Sequence, residues 1–188
     1  MRKYKCLDKQ EYVHGVFKLV PIRDEDKTPI LQMRNEQIYH LRQAEELTLE
    51  IQEAYFAEVI SSLFQEEKPN QILFSVFENN IFIGYGGLVH INWIDRNAEI
   101  SFIMKTELEK DRFEYYWINY LTLLDKVAFN DLKFHKIYTY AFDLRHHLYP
   151  VLEMSGFNEE ARLKEHCYFD GKFIDIVIHS KIVDFAYS

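Results

Sequence analysis

The sequence predicts an α+β fold: a mixed, mostly antiparallel, twisted sheet flanked by helices. Short runs of alternating apolar and polar residues indicate strands, because successive side chains of a strand point to opposite faces. The dipeptide Asp170-Gly171 between two such runs is typical of a two-residue hairpin turn. One longer segment has apolar residues at a 3.6-residue period, which indicates an amphipathic helix: Phe113, Trp117, Leu121, Leu124 and Ala128. The predicted order is a strand, two helices, three antiparallel strands, a helix, a strand, a helix and a final hairpin.

The first third of the chain supplies one strand and two helices. The strand is predicted over Gly15–Arg23, and Tyr4–Leu7 is a candidate for a short strand before it. Thr28-Pro29 predicts a helix start, with threonine at the N-cap and proline at the first helical position, and this helix runs to about Leu41. Thr48 is the predicted N-cap of the second helix.

Strands dominate the remainder, with one long helix that ends near Asn130 and a short helix before Gly156. One of the strands contains Gly84-Tyr85-Gly86-Gly87, and glycines inside a strand mark a bulge or a close approach of a ligand or backbone. The predicted strands before the final hairpin are Ile72–Phe77, Ile81–Trp93, Ala98–Met104 and His135–Phe142.

Composition limits the class of protein. At 188 residues the chain is predicted to form one domain over residues 1–188, with residues 1–10 as a short extra strand or a disordered segment. A formal charge of −8 argues against a nucleic-acid partner, whose phosphates need a basic face. Two cysteines are too few for a disulfide framework, which favours the cytoplasm, and the absence of a long apolar run argues against a membrane. The histidines lack partners at metal-ligand spacing, so no metal site is expected.

Three short motifs carry a family resemblance: Val127-Ala128-Phe129, Gly156-Phe157 and the Gly171…Asp175 hairpin. In this order the chain resembles the GNAT superfamily of N-acetyltransferases, which have the acyl-CoA N-acyltransferase fold. The pattern is closest to ribosomal-protein alanine acetyltransferases and nucleotide amino-sugar acetyltransferases. Met33-Arg34-Asn35 is similar to the Trp-Arg-Asn pattern of the amino-sugar group, with Met in the place of Trp. The resemblance therefore implies acceptor-binding roles for Arg34 and Asn35, the alternative being a solvated helix end.

The resemblance also implies where catalysis takes place. The strands Ala98–Met104 and His135–Phe142 would splay apart and admit the pantetheine arm of acetyl-CoA, with backbone groups of Phe102, Ile103 and Met104 toward it. Glu99 occupies the position of the family's catalytic base, the alternative being a turn cap or a surface pair with Arg96. Tyr149 is the candidate acid for the leaving thiolate, and a core or lid tyrosine is the alternative.

The sequence departs from the family at the loop that binds the cofactor diphosphate. No glycine occurs between Gly87 and Gly156, and the loop's conserved positions hold Glu109, Arg112 and Glu114. Glycines there let consecutive N–H groups turn toward an anion. The residues expected to bind the diphosphate in place of the glycines are the basic residues Lys110, Arg112 and Arg145, together with Phe113 at the same helix start. Either the backbone still presents its N–H groups, or the donor does not bind in the usual way.

Acceptor contacts are expected from Tyr85, His90 and Asn92 on the glycine-containing strand, although a solvated hairpin face would also explain these residues. The leading interpretation is acetyl-CoA-dependent transfer of acetyl to a primary amine of a small molecule, a nucleotide-linked amino sugar. The alternatives are a protein N-terminus or a polyamine as the acceptor. An alternative of another class is a GNAT-fold binding or assembly module that has lost acetyl-CoA use. Either a monomer or a homodimer is compatible with the sequence.

Overall fold

The computed structural model describes residues 2–184, which form one eight-stranded sheet in the order β1-β2-β3-β4-β5-β6-β8-β7. Every neighbouring pair is antiparallel except β5–β6, which is parallel. The strands are β1 Tyr12–His14, β2 Phe17–Pro21, β3 Ile72–Glu78, β4 Ile81–Asn92, β5 Asn97–Met104, β6 Lys136–Phe142, β7 Asn158–Phe169 and β8 Lys172–Ile182. The predicted mixed, mostly antiparallel sheet is thus present.

Within residues 2–184, six α-helices flank the sheet: α1 Lys27–Glu36, α2 Leu49–Tyr55, α3 Ser61–Leu63, α4 Thr106–Asp111, α5 Phe113–Asp125 and α6 Leu148–Met154. A π-helical turn, Phe56–Ile60, joins α2 to α3, and a second one, Lys126–Asp131, extends α5. Within the described residues no helix is long and apolar enough to cross a membrane.

Local sequence signals predicted most of the helices and strands. Tertiary contacts explain why some of them begin or end at other residues than predicted. Tyr4–Leu7 forms a turn rather than a strand, and the Tyr4 hydroxyl donates to the carbonyl of Leu73 at 2.9 Å. The first helix begins at Lys27, one residue before the predicted cap, because Asp26 is fixed by Arg23 and by Ser75 at 2.6 Å. That helix ends at Glu36 instead of Leu41.

Gly86 of β4 allows an aromatic layer to approach the sheet. The Tyr120 hydroxyl lies 2.7 Å from where a Cβ of Gly86 would be, and it donates to the Ser101 carbonyl at 2.6 Å. The Tyr120 ring stacks on Phe102 at 4.0 Å between centroids. On the opposite face, Tyr85 contacts α1 through Arg34. Because successive residues of β4 point to opposite faces, α5 and α1 pack on different sides of the sheet.

The sheet opens between β5 and β6. Their parallel ladder consists of three pairs and ends at Glu99 opposite Tyr138. Beyond this point β5 continues to pair with β4 up to Met104, and β6 pairs with β8 up to Phe142. The facing edges of the two strands therefore diverge and form the wedge that the sequence predicts.

We expect Thr48→Ala to lower the free energy of unfolding by about 1 kcal/mol, because the variant loses an N-cap. The Thr48 side chain accepts a hydrogen bond from the Ile51 N–H at 3.2 Å. Urea denaturation measures the change, and Thr48→Ser, which keeps the hydroxyl, is the matched control. An unchanged midpoint for the alanine variant would contradict the capping role.

Candidate active site

The wedge between β5 and β6 contains a cavity of about 160 Å³. Its walls come from β5, β6, the loop after α1 and the start of α6. Of the predicted site residues, four line it: Glu99, Phe102, Ile103 and Arg145. Met104, at the end of β5, is buried, and its carbonyl accepts a hydrogen bond from the buried amide of Gln37 at 2.7 Å. Gln37 thus ties the loop after α1 to the end of β5.

Glu99 lies at the apex of the wedge, with its side chain only 8% exposed. One carboxylate oxygen accepts from the Arg42 guanidinium, and the other accepts from Nδ1 of His90 at 2.8 Å. Its partners are these two residues rather than Arg96, so a buried carboxylate is held by two donors. The Arg42 guanidinium also stacks over the ring of Tyr140 at 4.8 Å. Sequence reasoning missed Arg42, because it lies 57 residues before Glu99 in a loop without a motif.

His90 reaches Glu99 through an irregularity in β4. Val89 lies directly opposite Glu99, and the register then shifts before the next pair, Asn92 opposite Asn97. His90 sits within this bulge with φ of 49°, a left-handed conformation that is uncommon for residues other than glycine. In a regular strand His90 would point to the face opposite Val89, so the bulge accounts for its side chain meeting Glu99.

Arg145 is buried in an ion pair. It contacts the Glu109 carboxylate, and the two side chains are only 13% and 11% exposed. The Tyr39 hydroxyl donates to the other Glu109 oxygen at 3.1 Å, and the guanidinium lies 5.0 Å from the Phe113 ring centroid. Burial lowers the pKa of Arg145, and the charge of Glu109 opposes that shift. Of the cations expected to bind the diphosphate, Arg145 is thus already paired with a carboxylate of the protein itself.

The other predicted cations near this helix start lie away from the wedge. Lys110 is exposed at the end of α4. Arg112 interrupts the predicted long helix, with φ of −140° between α4 and α5. Its guanidinium lies 4.0 Å from the ring centroid of Tyr115 and pairs with Glu78 at 3.8 Å. Neither residue lines the wedge cavity.

Tyr149 belongs to a separate cluster on α6. Its hydroxyl donates to Asp143, its ring stacks on that of His179 at 4.9 Å, and it does not line the wedge cavity. Burial, reinforced by Asp143, raises the pKa of Tyr149, so its phenol is protonated. Its proton is directed to Asp143 rather than into the wedge.

A second cavity of about 260 Å³ lies between the sheet, α1 and α2. Predicted residues Arg34 and Tyr85 line it, and Arg34 donates to the Tyr85 hydroxyl at 2.9 Å. Its other polar lining is neutral, from Gln52, Tyr55, Gln71 and Ser101. Val89 and Ser101 line both this cavity and the wedge cavity, so the two adjoin. We call this second space the α1–α2 cavity.

Two further predicted acceptor residues have structural contacts instead. The Asn35 amide donates to the Leu47 carbonyl at 2.8 Å and accepts from the Leu47 N–H at 2.9 Å, which fixes the loop before α2. Asn92 donates to Asp95 at 2.8 Å and accepts two backbone N–H groups in the turn after β4. Neither side chain lines the α1–α2 cavity.

A family model described as an acetyltransferase (GNAT) domain matches residues 19–178. The chain belongs to the GNAT acetyltransferase family. The match spans the wedge, both cavities and most of the final hairpin, so the predicted family and fold are confirmed, and the protein is an N-acetyltransferase. A search of curated proteins finds no match.

Solved structures agree with this GNAT fold. Spermidine N-acetyltransferase from Vibrio cholerae in complex with CoA and spermine aligns with a TM-score of 0.76 and 21% identity, over 90% of this chain and 96% of that one. A chimera of that enzyme with hSSAT has a TM-score of 0.73 and 23% identity, over 89% and 96% of the two chains. Mutant forms of the same enzyme have a TM-score of 0.72 and 23% identity, over 90% and 95%. At this identity the likeness establishes the fold.

We expect His40, which lines the wedge cavity, to make the enzyme sensitive to acid. Burial, reinforced by the charge of Arg145, lowers the pKa of His40 to about 3. Between an unfolded-state pKa of roughly 6.5 and this value the unfolded chain binds the extra proton, so stability falls as pH falls. His40→Gln should reduce the loss of unfolding free energy between pH 7 and pH 5 by about 1–2 kcal/mol.

Urea denaturation at the two pH values measures this effect. His14→Gln, at an exposed position on β1, is the control and should leave the pH dependence as it is. Equal pH dependence in wild type and His40→Gln would show that His40 is not held neutral by burial.

Proposed function

We propose that this enzyme transfers acetyl from acetyl-CoA to the primary amine of a small acceptor bound in the α1–α2 cavity. The observation that carries the proposal is the junction of the two cavities at Val89 and Ser101, beside the buried carboxylate of Glu99. A donor in the wedge and an acceptor in the second cavity would meet at that junction. Glu99, with Arg42 and His90, is the acid–base centre in this proposal.

The residues of the wedge fit acetyl-CoA at two points. Beyond the Glu99–Tyr138 pair the β5 edge at Phe102 and Ile103 faces the cavity without a β6 partner in register, which suits the amides of a pantetheine arm. Arg145 already holds an anionic carboxylate, that of Glu109, which indicates a site suited to negative charge. When bound, acetyl-CoA supplies an activated acetyl thioester.

The protein's own groups would orient the reaction and receive the proton. Arg42 donates to one oxygen of Glu99 and so restricts the rotation of the carboxylate at the wedge cavity. A backbone N–H of the β5 edge would stabilise the negative charge that develops on the carbonyl oxygen. The geometry gives no support to Tyr149 as the acid, because its hydroxyl donates to Asp143.

Two acceptor classes have support from different observations. The aligned Vibrio cholerae enzyme is a spermidine N-acetyltransferase, which favours a polyamine. A polyamine carries several positive charges and would be expected to meet carboxylates, but the lining of the α1–α2 cavity has none and includes the cation Arg34. This lining favours an amine that also carries anionic or hydroxyl groups, such as a nucleotide-linked amino sugar. We therefore propose the amino-sugar class first and the polyamine class second.

We expect Arg34→Gln to separate these acceptors. For an anionic acceptor, kcat/KM should fall about 10–100-fold, the usual effect of losing a charge-assisted hydrogen bond. For a polyamine it should stay constant or rise, because a positive charge leaves the cavity. Steady-state assays with nucleotide-linked amino sugars, spermidine and N-terminal peptides measure the difference, and Arg34→Lys is the matched control. Turnover of spermidine alone would overturn the amino-sugar proposal.

We expect Glu109→Gln to tighten the binding of acetyl-CoA by about tenfold, because the diphosphate no longer competes with a carboxylate for Arg145. The same change should lower the melting temperature of the free protein, since it leaves a buried guanidinium without its counter-ion. Calorimetry and thermal shift with acetyl-CoA measure the two effects. Glu107→Gln, at an exposed position on the same helix, is the matched control.

The wild-type measurement also tests the non-enzymatic alternative. A ligand at 100 times its dissociation constant stabilises a protein by about 2.7 kcal/mol, which gives a clear rise in melting temperature. If neither wild type nor Glu109→Gln responds to millimolar acetyl-CoA, donor binding has been lost and a binding or assembly role replaces the catalytic one.

A further inference from the structure

We propose that the proton of the acceptor amine is taken by Nε2 of His90, and that Glu99 orients this imidazole rather than acting as the base itself. The inference rests on the proposed acetyl transfer and assigns roles within its acid–base centre. Its basis is the contact of His90 with a buried carboxylate that already has a second donor.

The hydrogen bond fixes which nitrogen of His90 is free. The Glu99 carboxylate is acceptor-only when ionised, so the Nδ1 that lies 2.8 Å from it carries the proton in neutral His90. Nε2 is then the unprotonated nitrogen, with a lone pair for a proton. In other catalytic dyads and triads a carboxylate likewise binds one imidazole nitrogen and leaves the other nitrogen free to act as the base.

Glu99 is poorly arranged to be the base. Both of its oxygens already accept hydrogen bonds from protein donors, one from Arg42 and one from His90. A base in the reaction needs a lone pair that is free to accept the proton of the amine. The Arg42 guanidinium has donors and no acceptor atom, so it cannot serve as the base.

The other ionisable groups near this centre are also unsuitable. Tyr138 lies opposite Glu99 on β6, and Tyr140 lies under the Arg42 guanidinium. Burial raises the pKa of both phenols, so each keeps its proton at neutral pH. Within residues 2–184, His90 is thus the group in contact with Glu99 that can accept a proton.

His90 is also placed where a proton can arrive and leave. Its side chain lines neither cavity, but it contacts Glu99, which lines the wedge cavity, and its neighbour Val89 lines both cavities at their junction. The His90 side chain is 65% exposed, so its imidazolium can lose the proton to water after each turnover. The bulge that directs His90 toward Glu99 keeps a non-glycine residue in the left-handed region, a strained conformation of the kind that clusters at functional sites.

The proposed step balances. The amine nitrogen forms a bond to the acetyl carbon, the carbon–sulfur bond breaks, and the amine proton moves to Nε2 of His90. The positive imidazolium is stabilised by Glu99, and the thiolate takes a proton from solvent. His90 then releases the proton of the amine to solvent. One amide and one thiol therefore form without a net change in the number of protons.

Two His90 variants test the proposal. His90→Asn tolerates the left-handed conformation and can still donate to Glu99, but it lacks a basic nitrogen. His90→Gly has no side chain, removes the backbone strain and leaves room for a small molecule. Both should lose about 10²–10⁴-fold in kcat/KM, the usual contribution of a general base. Both should keep the rise in melting temperature with acetyl-CoA.

Chemical rescue gives the decisive readout. Added imidazole should restore turnover in His90→Gly, more strongly for more basic imidazoles, and should not restore it in Glu99→Gln. His14→Ala, which removes a histidine side chain from an exposed position on β1, is the control and should have the activity of wild type. Full turnover of His90→Asn would overturn the proposal, as would a folded, acetyl-CoA-binding His90→Gly that imidazole does not rescue. Inactivity of wild type toward every amine would instead overturn the proposed function.

Discussion

The parting of β5 and β6 after three residue pairs is the constraint on which the site depends. Where the strands diverge, each remains paired on its other side, β5 with β4 from Glu99 to Met104 and β6 with β8 up to Phe142, so the divergence does not unravel either strand. The space between them is closed by Trp117 from α5 and Leu148 from α6. A rigid sheet thus contains an opening whose apex is Glu99. Every polar group assigned to the chemistry lies around this opening or at its junction with the α1–α2 cavity.

The loss of glycines at the diphosphate loop has a structural counterpart. In place of a flexible loop the chain has α4, an interruption at Arg112, and α5. A glycine-rich loop binds an anion through its backbone, whereas here the nearest buried cation is a side chain, Arg145, from the segment after β6. Because an isolated buried guanidinium is unfavourable, Glu109 neutralises it in the free protein. In the proposed donor complex the diphosphate would replace the Glu109 carboxylate at Arg145, and the affinity for acetyl-CoA would reflect the difference between the two contacts.

Local sequence signals predicted the elements well, because each depends on a few adjacent residues. The Thr48 cap and the Asp170-Gly171 turn, with both residues at positive φ, are examples. The site was only partly predictable. Glu99 and Arg145 were identified by family position, but their partners Arg42 and Glu109 lie 57 and 36 residues away, and only the fold brings them together. Asn35 and Asn92 had the right residue type for binding, yet their amides fix loops. Spacing alone does not distinguish these uses.

The three arginines of the site show why the net charge of −8 says little about its ligands. Arg42 is neutralised by Glu99 and Arg145 by Glu109, so in the free protein neither contributes a net charge to its cavity. Arg34 contacts only neutral oxygens, those of Tyr85 and Gln43, and within residues 2–184 it has no carboxylate partner. The α1–α2 cavity is therefore locally positive in an acidic protein. Since a charge is least screened in a cavity, an acceptor bound there, as we propose, would respond to this local charge rather than to the net charge of the protein.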